Sequence, residues 1–318
     1  DPALIRKLYR GRREDVRPCI SCQEGCMGRL KKYLHISCAV NPAAAREREM
    51  ALTPAVTPKR VAVLGGGVAG CEAARVLALR GHRPEIFERT QRLGGNLHPA
   101  SAPDFKEDER KLIAWYEKQI SDRKVPVHFG TDLTAETLPQ GFDAYLVATG
   151  SRPVTFPLGD GVPVFTAAQI LQNEVTSQGP YVVVGGGLVG CETALMLALR
   201  GEQVSIVEGL PAILGQNGPL CYANTQMLQD LIAFHHISVH TGSLADHVDG
   251  QGLVIASGGE KHHIPAGTVI LSVGYRSESA LYGALQAAGE ETYLLGDARR
   301  VSNIMYAIWD AYEVARSL

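Results

Sequence analysis

Four of the seven cysteines, Cys19, Cys22, Cys26 and Cys38, stand together in the spacing C-x2-C-x3-C-x11-C, while Cys71, Cys191 and Cys221 are scattered. Three closely spaced thiolates and one more distant can converge on one compact body, which suits a [4Fe–4S] cube held by four ligands. Structural zinc sites usually come as two spaced pairs, so zinc and plain reduced thiols stand as the alternatives. No histidine in this stretch reads as a substitute ligand, and His35 reads as a surface residue. An odd cysteine count with one tight cluster argues for metal in a reducing, cytoplasmic compartment rather than for a disulfide framework.

Two glycine-rich turns supply the other chemistry. The first places Gly65, Gly67, Ala69 and Gly70 where the second places Gly185, Gly187, Val189 and Gly190. The first glycine permits a tight turn, the next lets backbone approach a pyrophosphate, and the last lets helix pack on strand. The helix that follows offers free N–H groups and a positive dipole end to phosphates. Glu88, with Arg89 after it, and Glu208 close the two units where a carboxylate can accept from a ribose hydroxyl. A solvated strand-end charge is the alternative for Glu88. Glu208 is followed by Gly209, with no Arg or Lys nearby to take a 2′-phosphate, so NADH is expected over NADPH.

Cys71 and Cys191 fall in the first helical turn after the glycines. That place can activate a thiol, but small buried packing residues are the plainer reading. No C-x4-C pair follows the first glycine helix, which counts against disulfide reductase chemistry. His236 and His240 lie where the pattern turns to a strand and do not read as a metal pair.

The elements that position these residues are duplicated. Residues 61–88 align without a gap on residues 181–208, and the glycines, the Cys-Glu pair, Leu-Ala-Leu-Arg-Gly and the closing Glu coincide. Each copy reads apolar strand, glycine turn, Ala- and Leu-rich helix, second strand: one βαβ unit. The fold class expected is α/β, with two Rossmann-like nucleotide-binding domains, the second inserted into the first, preceded by an iron–sulfur segment. Residues 1–57 form that segment and its linker, residues 58–156 and 267–318 the FAD-binding domain, and residues 157–266 the NAD(H)-binding domain. Further elements expected are a helix at 225–234, a C-terminal helix at about 301–317, and strands at 142–149, 237–240, 252–256, 268–272 and 293–295.

The 318 residues carry 45% hydrophobic and 20% charged side chains with a net charge of −2, an ordinary globular profile with no basic footprint for nucleic acid. No apolar run reaches the roughly 18 residues of a membrane span, and no signal peptide opens the chain. It opens on Asp1-Pro2 without Met, as a segment of a longer polypeptide would. A homo-oligomer is admitted by this composition but not specified by it.

Arg17-Pro18-Cys19-Ile20-Ser21-Cys22, Cys26, Ile36-Ser37-Cys38-Ala39-Val40-Asn41-Pro42, Arg92-Leu93-Gly94-Gly95, Ala148-Thr149-Gly150 and Gly296-Asp297 together carry a family resemblance. Over essentially its whole length the chain resembles the C-terminal portion of the flavin/iron–sulfur ene-reductases. These include 2,4-dienoyl-CoA reductase and 2-enoate reductase, with trimethylamine and histamine dehydrogenases as relatives. The resemblance implies that Gly95 approaches the FAD diphosphate side, that Ala148, Thr149 and Gly150 lie near the cofactor, and that Asp297 bonds the flavin ribityl, with Gly94 and Gly296 also in the cofactor-binding set. A helix cap is the alternative role for Asp297.

The resemblance also implies an N-terminal (β/α)8 barrel holding FMN, of roughly 250 residues, outside this chain. Electrons would run from NADH through FAD and the cluster to that FMN, for reduction of an α,β-unsaturated carbonyl or enoyl-CoA. No catalytic proton donor is needed in this half, because hydride transfer rests on cofactor chemistry and alignment. The alternatives are an amine dehydrogenase or N-demethylase, a feeder subunit like the small chain of glutamate synthase, and a scaffold holding only ADP.

Overall fold

The computed structural model describes residues 1–215 and 220–318. The chain divides into two units, one made of Asp1–His98, Glu107–Arg152 and Ser277–Leu318, the other of Pro99–Lys106 and Pro153–Arg276.

The first unit is built on a five-stranded parallel sheet in the order Thr292–Leu294, Ala144–Val147, Arg60–Leu64, Arg83–Phe87, Val127–His128. Its central strand is apolar from Val61 to Leu64 because helices cover both faces, and these four residues are fully buried. Helix Val68–Arg80 is rich in Ala, Leu and Val, and all but three of its thirteen residues are buried. It ends on Gly81, whose left-handed φ of 93° closes the helix without a Cβ penalty. Helix Ile304–Ser317 packs on it, starting at Asn303, whose side chain accepts from the Tyr306 backbone N–H at 3.1 Å.

Residues 1–57 are mostly irregular and are folded onto this unit. Ile20, Val40 and Met50 join its main core, with Cys22 and Cys38 packed against it. Aromatic donors fasten the segment: Trp115 Nε1 donates to the Asp15 carbonyl at 3.0 Å, Trp309 Nε1 to Cys38 at 3.0 Å, and the Tyr312 hydroxyl to Met50 at 2.6 Å.

The second unit repeats the sheet. Its order is Val164–Thr166, Thr268–Leu271, Tyr181–Val184, Val204–Val207, Ser238–His240, all parallel. An antiparallel sheet of Ser243–Val248, Gly252–Ser257 and Glu260–Pro265 is added to it. The α/β architecture with two Rossmann-like nucleotide-binding domains is the one expected.

The unit boundaries differ from the expectation in three places. The second unit begins at Pro153 rather than at residue 157. The sequence reading returns the chain to the first domain at residue 267, whereas the structure returns it after Arg276. The reason is the strand Thr268–Leu271, which is fully buried and pairs in parallel beside Tyr181–Val184. Residues Pro99–Lys106 also fall in the second unit, where Lys106 Nζ meets Glu192 Oε1 at 2.6 Å and Ala102 packs against the core.

Candidate functional site

Each glycine turn sits at the carboxyl end of its sheet, between the strand that enters it and the neighbouring strand that follows much later in sequence. That is the switch point where open α/β sheets take nucleotides. Gly65 has φ of 109°, and a Cβ there would lie 2.4 Å from the Ala148 carbonyl oxygen. Gly185 has φ of 110°, and its Cβ would lie 2.3 Å from the Ser272 carbonyl oxygen. Beside Gly67 and Gly187 the space is open, and neither glycine supplies a side-chain cap to the helix it begins. The first-turn N–H groups thus remain available to an anion, so the residues present fit a diphosphate in both units.

The two closing carboxylates are buried and held in the same way. Glu88 Oε2 accepts from Gly66 N at 2.7 Å, and its Oε1 accepts from Thr90 N and Thr90 Oγ1, each at 2.8 Å. Glu208 Oε2 accepts from Gly186 N at 2.6 Å and Oε1 from Leu210 N at 2.8 Å. Glu88 is 5% exposed and Glu208 4%, which removes the solvated strand-end reading. Arg89, next to Glu88 in the chain, is exposed.

In the first unit Gly94 bridges to Gly67 and donates to the Gly66 carbonyl at 2.9 Å, and Gly95 stands close to the Gly67 backbone. The second unit has a counterpart that sequence reading missed: Leu214 donates to the Gly186 carbonyl at 2.8 Å. Missed too is Ser272-Val273-Gly274, which stands to Gly185 as Ala148-Thr149-Gly150 stands to Gly65. That match lies outside the gapless duplication and shows in the sheet pairing, where the strand ending at Leu271 occupies the place of the one ending at Val147.

Ala69 is buried beneath Gly296, and Val189 takes the matching, partly exposed place in the second turn. Thr149 Oγ1 donates to the Glu278 carbonyl, and Gly150 turns with φ of 74°. Gly296 N donates to Asp310 Oδ2 at 2.8 Å. Asp297 accepts from Ser151 Oγ at 3.0 Å and from Ser302 N at 3.1 Å, while burial pushes its carboxyl above the usual aspartate value. Asn303 occupies the cap of the C-terminal helix, and Asp297 lies in the short 3-10 turn Gly296–Ala298 that precedes it.

Cys22 and Cys38 are half-buried, and Cys19 and Cys26 are exposed. Among the described residues no group of three or more His, Cys, Asp or Glu side chains is gathered in a metal-binding arrangement. The backbone nevertheless brings the two cysteine loops together. Ser37 N donates to the Gly25 carbonyl at 2.7 Å, and a Cβ on Gly25 would lie 2.9 Å from the Cys38 backbone. Burial pushes the Cys22 thiol up to about 11, with the neighbouring Cys38 and Cys19 thiols adding to the rise. Four thiols on two touching loops fit an iron–sulfur cluster in donor chemistry. Cys71 and Cys191 are fully buried, and each donates to a turn carbonyl, Gly66 at 3.2 Å and Gly186 at 3.3 Å.

Residues 116–304 match the family model for pyridine nucleotide-disulphide oxidoreductases, and residues 63–113 match that for NAD(P)-binding Rossmann-like domains. Cinnamate reductase of Clostridium sporogenes is 44% identical over 319 residues, covering 100% of this chain and 48% of the relative. NADH oxidase of Thermoanaerobacter brockii is 36% identical, covering 99% and 50%. Among solved structures, the 2-naphthoyl-CoA reductase complex with 2-naphthoyl-CoA matches with a TM-score of 0.91 at 26% identity, covering 100% of this chain and 49% of that one. The chain therefore spans about half the length of the curated relatives it matches. No helix among the described residues is long and apolar enough to cross a membrane. The chain belongs to the pyridine nucleotide-disulphide oxidoreductase family, with FAD- and NAD(P)-binding domains.

Proposed function

We propose that this chain is the NADH-oxidising, electron-relaying half of an ene-reductase. FAD would be held by the first unit, through Gly65, Gly67, Ala69, Gly70, Glu88, Arg89, Gly94, Gly95, Ala148, Thr149, Gly150, Gly296 and Asp297. NADH would be held by the second, through Gly185, Gly187, Val189, Gly190 and Glu208. Cys19, Cys22, Cys26 and Cys38 would hold a [4Fe–4S] cluster. When bound, these groups supply the conversion of a two-electron hydride donor into single-electron transfer. The acceptor is an FMN-bearing (β/α)8 barrel outside this chain, with an α,β-unsaturated carbonyl or enoyl-CoA as its substrate class.

The chain's own part is binding and alignment. The uncapped helix N-termini receive phosphates, and the buried carboxylates of Glu88 and Glu208, each fixed by turn N–H groups, present acceptors to ribose hydroxyls. The Glu208 carboxylate would repel a 2′-phosphate, with no cation in the following Gly209-Leu210-Pro211 to offset it, hence NADH over NADPH. The observation that most supports the relay reading is the packing of the cysteine segment into the core of the first unit, with Trp309 donating to the Cys38 carbonyl.

Flavin, iron and acid-labile sulfide assays on anaerobically purified and reconstituted chain test the reading. One FAD with about four iron and four sulfide per chain is expected. Flavin without iron or sulfide would sink the relay, and a chain holding ADP alone would reduce it to a scaffold.

A further inference from the structure

Arg17 lies two residues before Cys19, and Val40 lies two residues after Cys38. The Arg17 guanidinium donates to the Val40 carbonyl, so one side chain joins the loop of the first three cysteines to the loop of the fourth. The same guanidinium faces Glu72 Oε2 at 3.4 Å and lies 4.4 Å over the Trp115 ring. Glu72 is fully buried in helix Val68–Arg80, where Arg75 meets it at 2.8 Å and the Tyr116 hydroxyl donates to it at 3.2 Å. Two guanidiniums thus share one carboxylate, leaving an excess of one positive charge buried beside the cysteine segment.

We infer that Arg17 is a positioning residue for the cluster: it clamps the two cysteine loops to the nucleotide-binding helix and sets a fixed positive charge beside them. This rests on the cluster reading above. A buried, bidentate-capable cation stacked on an aromatic ring is rigid in a way a lysine is not. Fastening both ligand loops to one rigid helix slows their opening, and a nearby cation favours the more negative, reduced state of a thiolate-bound cluster. The second unit supplies an internal contrast. Glu192, at the position matching Glu72, is partly exposed and paired with Lys106, and no cysteine segment is fastened there.

The test uses the full 318-residue chain with its cofactors, carrying Arg17→Met, Arg17→Lys, or Lys106→Met as a control. Iron release to a chelator, FAD content and cluster midpoint potential are read in each. Arg17→Met is expected to keep its FAD, release iron at least tenfold faster and shift the potential downward. Arg17→Lys should recover most of the potential while iron release stays fast, and Lys106→Met should match the wild type in both.

Wild-type release and potential in both Arg17 variants would overturn the clamp alone. So would loss of FAD together with iron in Arg17→Lys, which marks a general role in folding. If Arg17→Met does not fold, Arg17→Lys decides by itself. A wild-type chain that takes up no iron or sulfide overturns the cluster reading and the clamp with it.

Discussion

Glu72 and Glu192 occupy the same step of two duplicated units, each two residues past the last glycine of its turn. In the first unit the carboxylate is sealed among Arg17, Arg75 and Tyr116, and these cations hold it below the usual glutamate range against the opposing effect of burial. In the second it is partly exposed and meets one lysine. The strands, turns and closing carboxylates are otherwise matched, down to the bonds from Gly66 to Glu88 and from Gly186 to Glu208. A duplicated frame has kept its nucleotide-holding geometry twice, and it has turned one helix face in one copy into an anchor for a separate segment. What distinguishes the copies lies off the turn, on the face that meets residues 1–57 or Pro99–Lys106.

The largest difference expected between the copies is in stability. Glu72→Gln leaves two buried guanidiniums short of a counter-charge and should cost about 3–5 kcal/mol, as for breaking a buried pair. Glu192→Gln loses a partly exposed pair and should cost about 1 kcal/mol or less. Equal denaturation midpoints for the two variants would erase the contrast. The same carboxylate gives a pH signature. Because the folded state lowers its pKa, Glu72 contributes stability that is present above the ordinary glutamate value of 4.5 and lost as pH falls through the lower, folded value. Acid titration should therefore weaken the wild type more steeply than Glu72→Gln below about pH 4.5.

The turns themselves should separate the cofactors. Gly65→Ala and Gly185→Ala each force a Cβ into a carbonyl oxygen at left-handed φ, with local strain on the order of 1–3 kcal/mol. Gly65→Ala is expected to empty the flavin. Gly185→Ala should retain flavin colour and raise the KM for NADH on the order of tenfold or more. Loss of flavin from both would mean that the second turn does not serve a separate nucleotide.

Smaller again is the effect at Glu208. Its replacement by Gln removes the carboxylate proposed to meet the ribose and should narrow the preference for NADH over NADPH on the order of tenfold. An unchanged ratio in steady-state kinetics would detach Glu208 from cofactor choice. The smallest difference concerns the paired thiols. Burial drives the Cys71 thiol well up and the Cys191 thiol up to about 12, so both should stay unlabelled by a maleimide in the folded chain. Labelling of either under native conditions would restore a reactive reading.

The duplication made the two parallel sheets legible, because apolar runs, glycines and closing acids recur at fixed offsets in a single chain. The cysteine spacing was equally plain. The contact that ties the cysteine segment down was not, since Arg17 and Glu72 are charged residues 55 positions apart and nothing local marks either as buried. The strand Thr268–Leu271 was recognised, but it was placed in the wrong sheet, because a short apolar run carries no mark of its partner. Of the three antiparallel strands, the sequence reading finds only Gly252–Ser257. Glu260–Pro265 is largely exposed and polar, and Ser243–Val248 mixes buried and exposed residues without strict alternation, so the pattern that betrays a half-buried strand is weak there.

The central claim is that electrons entering at the second unit reach the cysteine segment of the first. An anaerobic visible spectrum of the purified, reconstituted chain, taken before and after NADH, tests it most directly. The account predicts flavin bands over a broad iron–sulfur shoulder, with both bleached by NADH. A flavin spectrum that NADH leaves unchanged, or a shoulder that persists after the flavin has bleached, would contradict it.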